Sequence, residues 1–194
     1  TELNFAPAAV PKKLAVVGAG PAGLAFATLA AERGHVVTLF DAADEIGGQF
    51  NIAKKVPGKE EFHETLRYFR RRLEVTGVSV QLGRWVEADD LTGFDEVVLA
   101  TGIVPRVPPI PGIDHPKVLS YLDVLKHGKP VGRSVAIIGA GGIGFDTAEF
   151  LTHEGVPPSL DTEAFLREWG VDSTVAAPGG LAPTGPQPHP SPRK

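Results

Sequence analysis

Apolar runs alternate with segments of helical period along the first hundred residues. Residues 14–17 and 36–40 are apolar runs, and residues 95–102 form a third that ends in Ala-Thr-Gly. Residues 22–33 separate the first two runs, and the segment 59–76 places its large apolar residues on one helical face. Such alternation predicts buried strands joined by helices. We therefore expect an α/β fold with a parallel sheet.

Three glycines follow the first run at G-x-G-x-x-G spacing: Gly18, Gly20 and Gly23. In a strand–turn–helix unit the first glycine makes the turn, and the second lets a pyrophosphate approach bare backbone. The third lets the helix pack on its strand. Asp41 closes the second run about twenty residues later, where a carboxylate binds ribose hydroxyls. The motif also occurs in turns that bind no ligand, but together with Asp41 it predicts a dinucleotide site.

Further candidate residues lie at the start of a predicted helix, in the loop after Asp41 or at the end of a predicted strand. They are Pro21, Ala22, Gly48, Gln49, Thr101 and Gly102. Free N–H groups at a helix start favour an anion, and small residues after a strand leave room for a nucleotide. For the loop at 42–50 the alternative interpretation is a surface turn.

The opening pattern recurs after a proline-rich segment at 104–116. The apolar residues 134–138 lead into Gly139, Gly141 and Gly144, and a helix is predicted to about His153. A second dinucleotide-binding fold therefore begins here. Its ribose-binding carboxylate or arginine is expected near 161–167. Pro157 and Pro158 precede that stretch and disfavour a central strand, so we expect a short helix at 162–169.

Composition narrows the classes of function. The net charge of −4 argues against a nucleic-acid partner or an anionic membrane surface. No apolar run approaches the ~20 residues of a membrane span, which leads us to expect a cytoplasmic protein. Because the chain has no cysteine, disulfides and thiolate metal sites are excluded within it, and we assign no metal ligand. The absence of methionine and the start at Thr1 suggest a piece of a longer protein.

The order of motifs resembles the two-dinucleotide-binding flavoproteins, in which one Rossmann-like fold binds FAD and an inserted one binds NAD(P)H. A more specific sequence resemblance is to the bacterial NADPH-dependent 2,4-dienoyl-CoA reductases, of the old-yellow-enzyme-like iron-sulfur flavoprotein family. It lies at residues 46–54, 57–62, 115–121 and 144–148. This resemblance covers nearly the whole chain.

The resemblance implies an oxidoreductase acting on CH-CH bonds in the β-oxidation of unsaturated fatty acids. Electrons would pass from NADPH to FAD, then through a 4Fe-4S cluster and FMN in missing domains to a 2,4-dienoyl-CoA. The acyl-CoA substrate would bind a missing barrel that also holds the acid–base residues. No catalytic residue is therefore expected in this chain, and the isolated fragment is expected to be inactive.

The resemblance also implies the domain limits. Residues 1–13 would be a linker from an upstream domain and 14–130 an incomplete FAD-binding domain. Residues 131–177 would begin the truncated NADPH-binding domain, and 178–194 would be a disordered Gly/Pro-rich tail.

Roles for individual residues follow from the same resemblance. Gly18, Gly20, Ala22 and Gly23 would hold the FAD pyrophosphate and Asp41 the ribose, with Gln49, Thr101 and Gly102 alongside. Gly139, Gly141 and Gly144 would hold the NADPH pyrophosphate. Val86 is a candidate adenine contact. Arg67 either reaches a cofactor oxygen or is an exposed helix arginine.

Other interpretations keep part of this picture. The segment could belong to a related enoate reductase or amine dehydrogenase. It could also be a nucleotide-binding electron-transfer module without its own substrate, as in the small subunit of glutamate synthase. That family carries cysteines ahead of its glycine motif, and this chain has none. The missing C-x-x-C likewise argues against a thioredoxin-reductase-like enzyme.

Overall fold

A computed structural model describes residues 5–194, so the first four residues of the predicted linker lie outside it. Contacts divide the chain into two compact units. The first comprises the chain up to Asn51 together with Phe62–Pro108, and the second comprises Ile52–Glu61 together with Pro109–Lys194. None of the helices found between residues 5 and 194 is both long enough and apolar enough to cross a membrane.

The first unit is built on a parallel sheet of four strands in the order β3-β2-β1-β4. The strands are β1 (Lys13–Val17), β2 (Val36–Phe40), β3 (Ser79–Gln81) and β4 (Glu96–Leu99). Val17, the last residue of β1, pairs with Phe40 on one side and with Leu99 on the other. The carboxyl ends of β1, β2 and β4 are therefore level, and the predicted parallel α/β fold is confirmed.

Five α-helices accompany the strands in the part of the chain that the structure describes. They are α1 (Pro21–Glu32), α2 (Phe50–Ala53), α3 (Phe62–Thr76), α4 (Gly142–Thr152) and α5 (Thr162–Glu168). A π-helical turn covers Leu122–Lys126, and short 3-10 turns cover Ala88–Leu91, Pro158–Leu160 and Pro178–Gly180.

The core of the first unit lies between the sheet and its helices. Val16 and Leu39 from the sheet and Leu24 from α1 have no exposed surface. They pack in one cluster with Leu73 of α3, and α1 contacts both β1 and α3. Burial of these side chains fixes the two ends of the glycine turn that joins β1 to α1.

Two predicted strand segments differ in the structure. The alternation at 78–82 predicts a strand that Trp85 and Val86 continue; the observed strand is β3, and Trp85 and Val86 form no ladder because the chain turns after Gln81. Residues 134–138 form no strand either. Within the described part of the chain, their one backbone hydrogen bond to another segment runs from Val135 N–H to Lys194 O at 2.9 Å. A ladder needs a neighbouring strand along its length.

Backbone hydrogen bonds connect several residues from 155 onward, including some within 178–194. An isolated antiparallel bridge joins Val171 to Leu181, and Gln187 N–H donates to Glu168 O at 2.9 Å. The helix expected at 162–169 is α5, and Asp161 caps its start by accepting from Ala164 N–H at 3.0 Å. Most of the stretch 161–167, where a second ribose-binding residue is expected, is thus helical.

Candidate functional site

The turn between β1 and α1 requires glycine at two of its three motif positions. Gly18 has φ +112°, and a Cβ there would lie 2.2 Å from Ala100 O. A Cβ on Gly23 would lie 1.8 Å from Gly18 O. Both separations are too short for non-bonded atoms. These glycines therefore hold the helix, the turn and the segment after β4 in close contact.

The remaining motif glycine, Gly20, is the second of the three, and it faces open space. A Cβ on Gly20 would meet only Gly48 Cα, at 4.0 Å. Gly20 is the N-cap of α1, no side chain caps it, and Pro21 stands at the first helical position. Ala22 is exposed. The start of α1 thus offers uncapped backbone N–H groups to solvent, an arrangement that favours an anion.

The Asp41 carboxylate lies against this turn. Asp41 Oδ2 accepts from Ala19 N–H at 2.5 Å, and Oδ1 accepts from Ala43 N–H at 2.8 Å. Asp41 is half-buried at the end of β2. Each carboxylate oxygen has a further lone pair. The side chain can therefore accept from sugar hydroxyls while it remains bonded to the backbone.

The loop that contains Gly48 closes over the glycine turn. Gly47 N–H donates to Ala19 O at 2.8 Å, and a Cβ on Gly48 would lie 3.0 Å from Gly20 Cα. Gly47 has φ +124°, and a Cβ there would lie 2.7 Å from Leu66 Cδ2. The sequence suggested a loop that passes close to a ligand. The structure adds that this loop packs on the turn itself, with Gln49 exposed at its end.

The segment after β4 meets the same edge of the sheet. Ala100 N–H donates to Val17 O at 2.8 Å, which brings the Ala-Thr-Gly triplet beside Gly18. Thr101 and Gly102 are both exposed. The structure therefore brings the ends of three strands together at one mouth, as the carboxyl ends of parallel strands do in nucleotide-binding sheets.

Val86 and Arg67 have different surroundings. Val86 is half-buried in the irregular segment after β3, which is tied to Asp41 because Arg84 N–H donates to Asp41 O at 2.9 Å. Arg67 lies on α3, and its Nε is 2.6 Å from Glu64 Oε2. The Arg67 side chain is 74% exposed. The structure thus pairs Arg67 within its own helix and does not bring it into contact with the glycine turn.

The second glycine loop, in the second unit, repeats the backbone geometry of the first. Gly139 has φ +112°, the value found at Gly18, and a Cβ on Gly144 would lie 2.1 Å from Gly139 O. Gly141 is the N-cap of α4, again without a side-chain cap, and a Cβ there would meet nothing within 4 Å. In both loops the helix therefore starts without a side-chain cap, and the N-cap position, Gly20 or Gly141, leaves open space beside the backbone.

The donor set of the first loop fits a dinucleotide. A pyrophosphate needs N–H donors and room beside bare backbone, and a ribose needs an acceptor for its hydroxyls. The start of α1, the open side of Gly20 and the Asp41 carboxylate supply these within one turn. No side chain of the turn itself fills the space beside Gly20.

Comparison with known protein families shows which family the chain belongs to. The sequence profile of the pyridine nucleotide-disulphide oxidoreductases matches residues 12–164. The chain belongs to this family. Its parallel sheet is that of a Rossmann-like FAD/NAD(P)-binding domain, and the match spans both glycine loops. Pyridine nucleotide-disulphide oxidoreductases use flavin and pyridine nucleotide, so the predicted FAD and NAD(P)H binding is supported at the level of the domain.

Individual relatives agree with this assignment. The chain is 36% identical over 168 residues to a metal reductase of Desulforamulus reducens, matching 84% of this chain and 25% of the relative. It is 39% identical over 147 residues to a cinnamate reductase of Clostridium sporogenes, covering 74% and 22%. The structure of a 2-naphthoyl-CoA reductase complex aligns with TM-score 0.74 and 38% identity, covering 77% and 23%.

The chain spans about a quarter of the length of these relatives. Together they place it within an old-yellow-enzyme-like group of flavoproteins in the family. The family match and the parallel sheet identify the chain as an FAD/NAD(P)-binding domain of the kind found in flavin-dependent oxidoreductases.

Proposed function

We propose that this segment serves a bacterial NADPH-dependent 2,4-dienoyl-CoA reductase that works in the cytoplasm. The observation that carries the proposal is the repeated glycine-turn geometry, with φ +112° at both Gly18 and Gly139. Two such turns on one chain suit two dinucleotides. The first would bind FAD and the second NADPH.

The first unit would position FAD through its own residues. The uncapped N–H groups at the start of α1 would bind the pyrophosphate, with Gly20 leaving room for its approach. Asp41 would accept from the ribose hydroxyls, while Gly48, Gln49, Thr101 and Gly102 would border the cofactor. FAD supplies the ability to accept two electrons as a hydride and to release them singly. Single release is what an iron-sulfur cluster requires.

The second unit would position NADPH. Gly141 leaves the start of α4 open, and Gly139 and Gly144 form the turn that directs its N–H groups outward. This is the same division of roles as in the first loop. FMN, the 4Fe-4S cluster and the acyl-CoA would be bound by parts of the protein outside these residues.

The choice of an acyl-CoA substrate is supported by similarity. The structural relative with TM-score 0.74 is a complex of 2-naphthoyl-CoA reductase with 2-naphthoyl-CoA. The amino-acid sequence at residues 46–54 and 115–121 resembles that of the dienoyl-CoA reductases. A second candidate is reduction of a free enoate, favoured by the 39% identity to cinnamate reductase.

Two measurements test the proposal. The 194-residue chain, incubated with FAD and then desalted, is expected to show flavin absorption bands at up to one FAD per chain. A colourless chain would contradict FAD binding by this segment. The full-length protein is then assayed with NADPH and either a 2,4-dienoyl-CoA or cinnamate. Faster turnover of the dienoyl-CoA supports the proposal, and turnover of cinnamate alone supports the second candidate. We expect negligible turnover from the isolated chain.

A further inference from the structure

Trp85 is a large aromatic residue that is 75% exposed in the segment after β3. The chain has two tryptophans, and the other, Trp169, lies in the second unit. Tryptophan is common in binding surfaces because its ring offers a large apolar face together with one N–H donor. The surroundings of Trp85 show which group that face can meet.

The backbone beside Trp85 is hydrogen-bonded to the candidate site. Gly83 N–H donates to Ala43 O at 2.7 Å, and Arg84 N–H donates to Asp41 O at 2.9 Å. Ala43 N–H in turn donates to the Asp41 carboxylate, the group proposed to bind the ribose. Trp85 therefore directly follows a residue that is bonded to Asp41.

The Asp41 carboxylate lies on the side of the sheet that carries α1. Leu39 of β2 is buried in one cluster with Leu24 of α1. Side chains alternate along a strand, so Phe40 faces the other side and Asp41 faces the side of α1. The hydrogen bond from Ala19 N–H, in the turn before α1, agrees with this orientation.

The Trp85 ring lies on the same side as that carboxylate. Arg84 marks the opposite side, since its guanidinium carbon is 5.4 Å from the centre of the Phe40 ring. Residues 84–87 contain no helix or turn, and neighbouring side chains of extended backbone point to opposite sides. Trp85 Nε1 donates to Glu87 Oε1 at 3.0 Å, as expected when residues two apart share a side.

Contacts with Asp90 hold the segment in place. Asp90 Oδ1 accepts from Arg84 Nη2 at 2.7 Å, and Asp90 Oδ2 accepts from Glu87 N–H at 3.0 Å. Trp85 thus lies between two anchored residues. Little conformational freedom is lost when a ligand meets a side chain that is held in this way.

The order of the strands brings the base of a bound dinucleotide toward Trp85. The pyrophosphate would bind after β1, at the start of α1, and the ribose after β2, at Asp41. β3 lies on the far side of β2 from β1. A base that points away from the pyrophosphate therefore meets the residues after β3. Val86 is half-buried there, whereas the Trp85 ring is open to solvent.

We propose that the Trp85 ring stacks on the adenine of the dinucleotide bound at the first glycine turn. This inference rests on the proposed binding of FAD and assigns a side chain to the base. Stacking on an aromatic ring stabilises a bound base through its π-face, without a hydrogen bond to the base. The alternative is that Trp85 only covers the site with apolar surface.

Titration of the 194-residue chain with FAD, followed by flavin fluorescence, compares these two roles. Trp85→Ala is expected to weaken FAD binding about tenfold, the effect typical of losing one stacked ring. Trp85→Phe keeps a ring and should stay within about threefold of the parent chain. Trp85→Leu keeps apolar bulk without a ring and should resemble Trp85→Ala. Trp169→Ala, at a position 60% exposed, is the matched control.

A second measurement leaves Trp85 in place. In Trp169→Phe the indole of Trp85 is the sole tryptophan, so its fluorescence reports on this position alone. ADP carries the base and inorganic pyrophosphate does not. We expect ADP to quench Trp85 at concentrations that displace FAD, and pyrophosphate to leave its fluorescence unchanged.

The outcomes separate this inference from the proposed function. FAD affinity in Trp85→Ala equal to that of the parent chain would overturn the stacking and leave FAD binding intact. The stacking would also be overturned if Trp85→Leu bound FAD as tightly as Trp85→Phe, or if ADP displaced FAD without quenching Trp85. A parent chain that takes up no FAD would overturn the proposed function and this inference together.

Discussion

Asp41 Oδ2 accepts a hydrogen bond from Ala19 N–H at 2.5 Å, so a side chain at the end of β2 is bonded to the glycine turn after β1. Its other oxygen accepts from Ala43 N–H at 2.8 Å. One carboxylate thus joins two turns at the mouth of the sheet. Substitution of Asp41 should therefore affect both the turn and any sugar bound beside it.

Asp41→Ala is expected to weaken FAD binding by about tenfold to a hundredfold, since each hydrogen bond to a charged group contributes about 1.5–3 kcal/mol. Asp41→Asn keeps an acceptor for Ala19 N–H and should have an intermediate effect. Flavin absorbance per chain and FAD titration give the measurement. Asp44→Ala, an exposed acid in the same loop, is the control. Equal flavin content in Asp41→Ala and the parent protein would show that Asp41 does not contribute to FAD binding.

Gly20 and Gly23 should respond differently to an added methyl group. A Cβ on Gly23 would lie 1.8 Å from Gly18 O, so Gly23→Ala should lower the free energy of unfolding by about 3 kcal/mol. Gly20→Ala meets only Gly48 Cα at 4.0 Å, with an allowed φ of −75°. Its free energy of unfolding should change by less than about 1 kcal/mol.

The same pair separates folding from binding. Although Gly20→Ala should fold normally, its methyl group would stand where the pyrophosphate approaches the backbone, so flavin content should fall. Denaturant unfolding and flavin absorbance of the same samples provide the two measurements. Full flavin content in Gly20→Ala would show that the pyrophosphate does not pass beside Gly20.

The ion pair between Lys59 and Asp146 should contribute modestly to stability. Lys59 Nζ contacts both carboxylate oxygens of Asp146 at 2.7 Å, and the two side chains are 38% and 30% exposed. Solvent screening at this exposure limits the contribution to about 1 kcal/mol. Lys59→Met should therefore lower the free energy of unfolding by up to that amount, and less in high salt.

The control for this pair is Arg71→Met, because Arg71 pairs with Glu74 with side chains 72% and 66% exposed. It should leave stability unchanged. Thermal unfolding at low and high salt provides the comparison. A salt-independent loss in Lys59→Met would assign the effect to packing of the lysine stem.

Asp172 should make the second unit sensitive to acid. Hydrogen bonds from Thr174 Oγ1, at 2.6 Å, and from the N–H groups of Thr174, Ala177 and Ala176 lower the pKa of Asp172 from its ordinary 3.8. A lowered pKa means that the stabilisation is present above pH 3.8 and is lost as the pH falls through the lowered value. Asp172→Ala should therefore lower Tm at neutral pH.

The Tm difference between the parent protein and Asp172→Ala should shrink below about pH 4. Asp114→Ala, an exposed loop acid, should track the parent protein at every pH. Thermal unfolding followed by circular dichroism between about pH 7 and pH 3 measures both variants. A difference that stays constant down to the lowest pH would mean that Asp172 acts without its charge.

The local sequence pattern was sufficient to predict much of the secondary structure of the first unit. The run at 36–40 predicted β2 with the observed bounds, and the glycine spacing placed α1 within one residue of Pro21–Glu32. These elements carry their signal in adjacent residues. The helix α2, Phe50–Ala53, spans only 4 residues, too few to show a helical period. Residues 134–138 have a strand's composition, but strand formation depends on partners that composition does not reveal.

In the candidate site, too, some residues could be predicted from local sequence and others could not. Gly18, Gly20, Gly23 and Asp41 were identified because motif spacing alone relates them. The backbone conformation that requires glycine at Gly47, with φ +124°, comes from the packing of its loop on the glycine turn, which no motif spacing reveals.

The central position of β1 has a consequence for the order of folding. β1 pairs with β2 on one side and with β4 on the other. Next to the β4 pairing, Lys13 N–H donates to Asp95 Oδ2, 82 positions later in the chain. Closing so long a loop is slow compared with forming the β1-α1-β2 unit. On the ribosome, Ala100 cannot support Gly18 until β4 has emerged from the exit tunnel. Capture of a nucleotide by the nascent polypeptide should therefore wait for that moment.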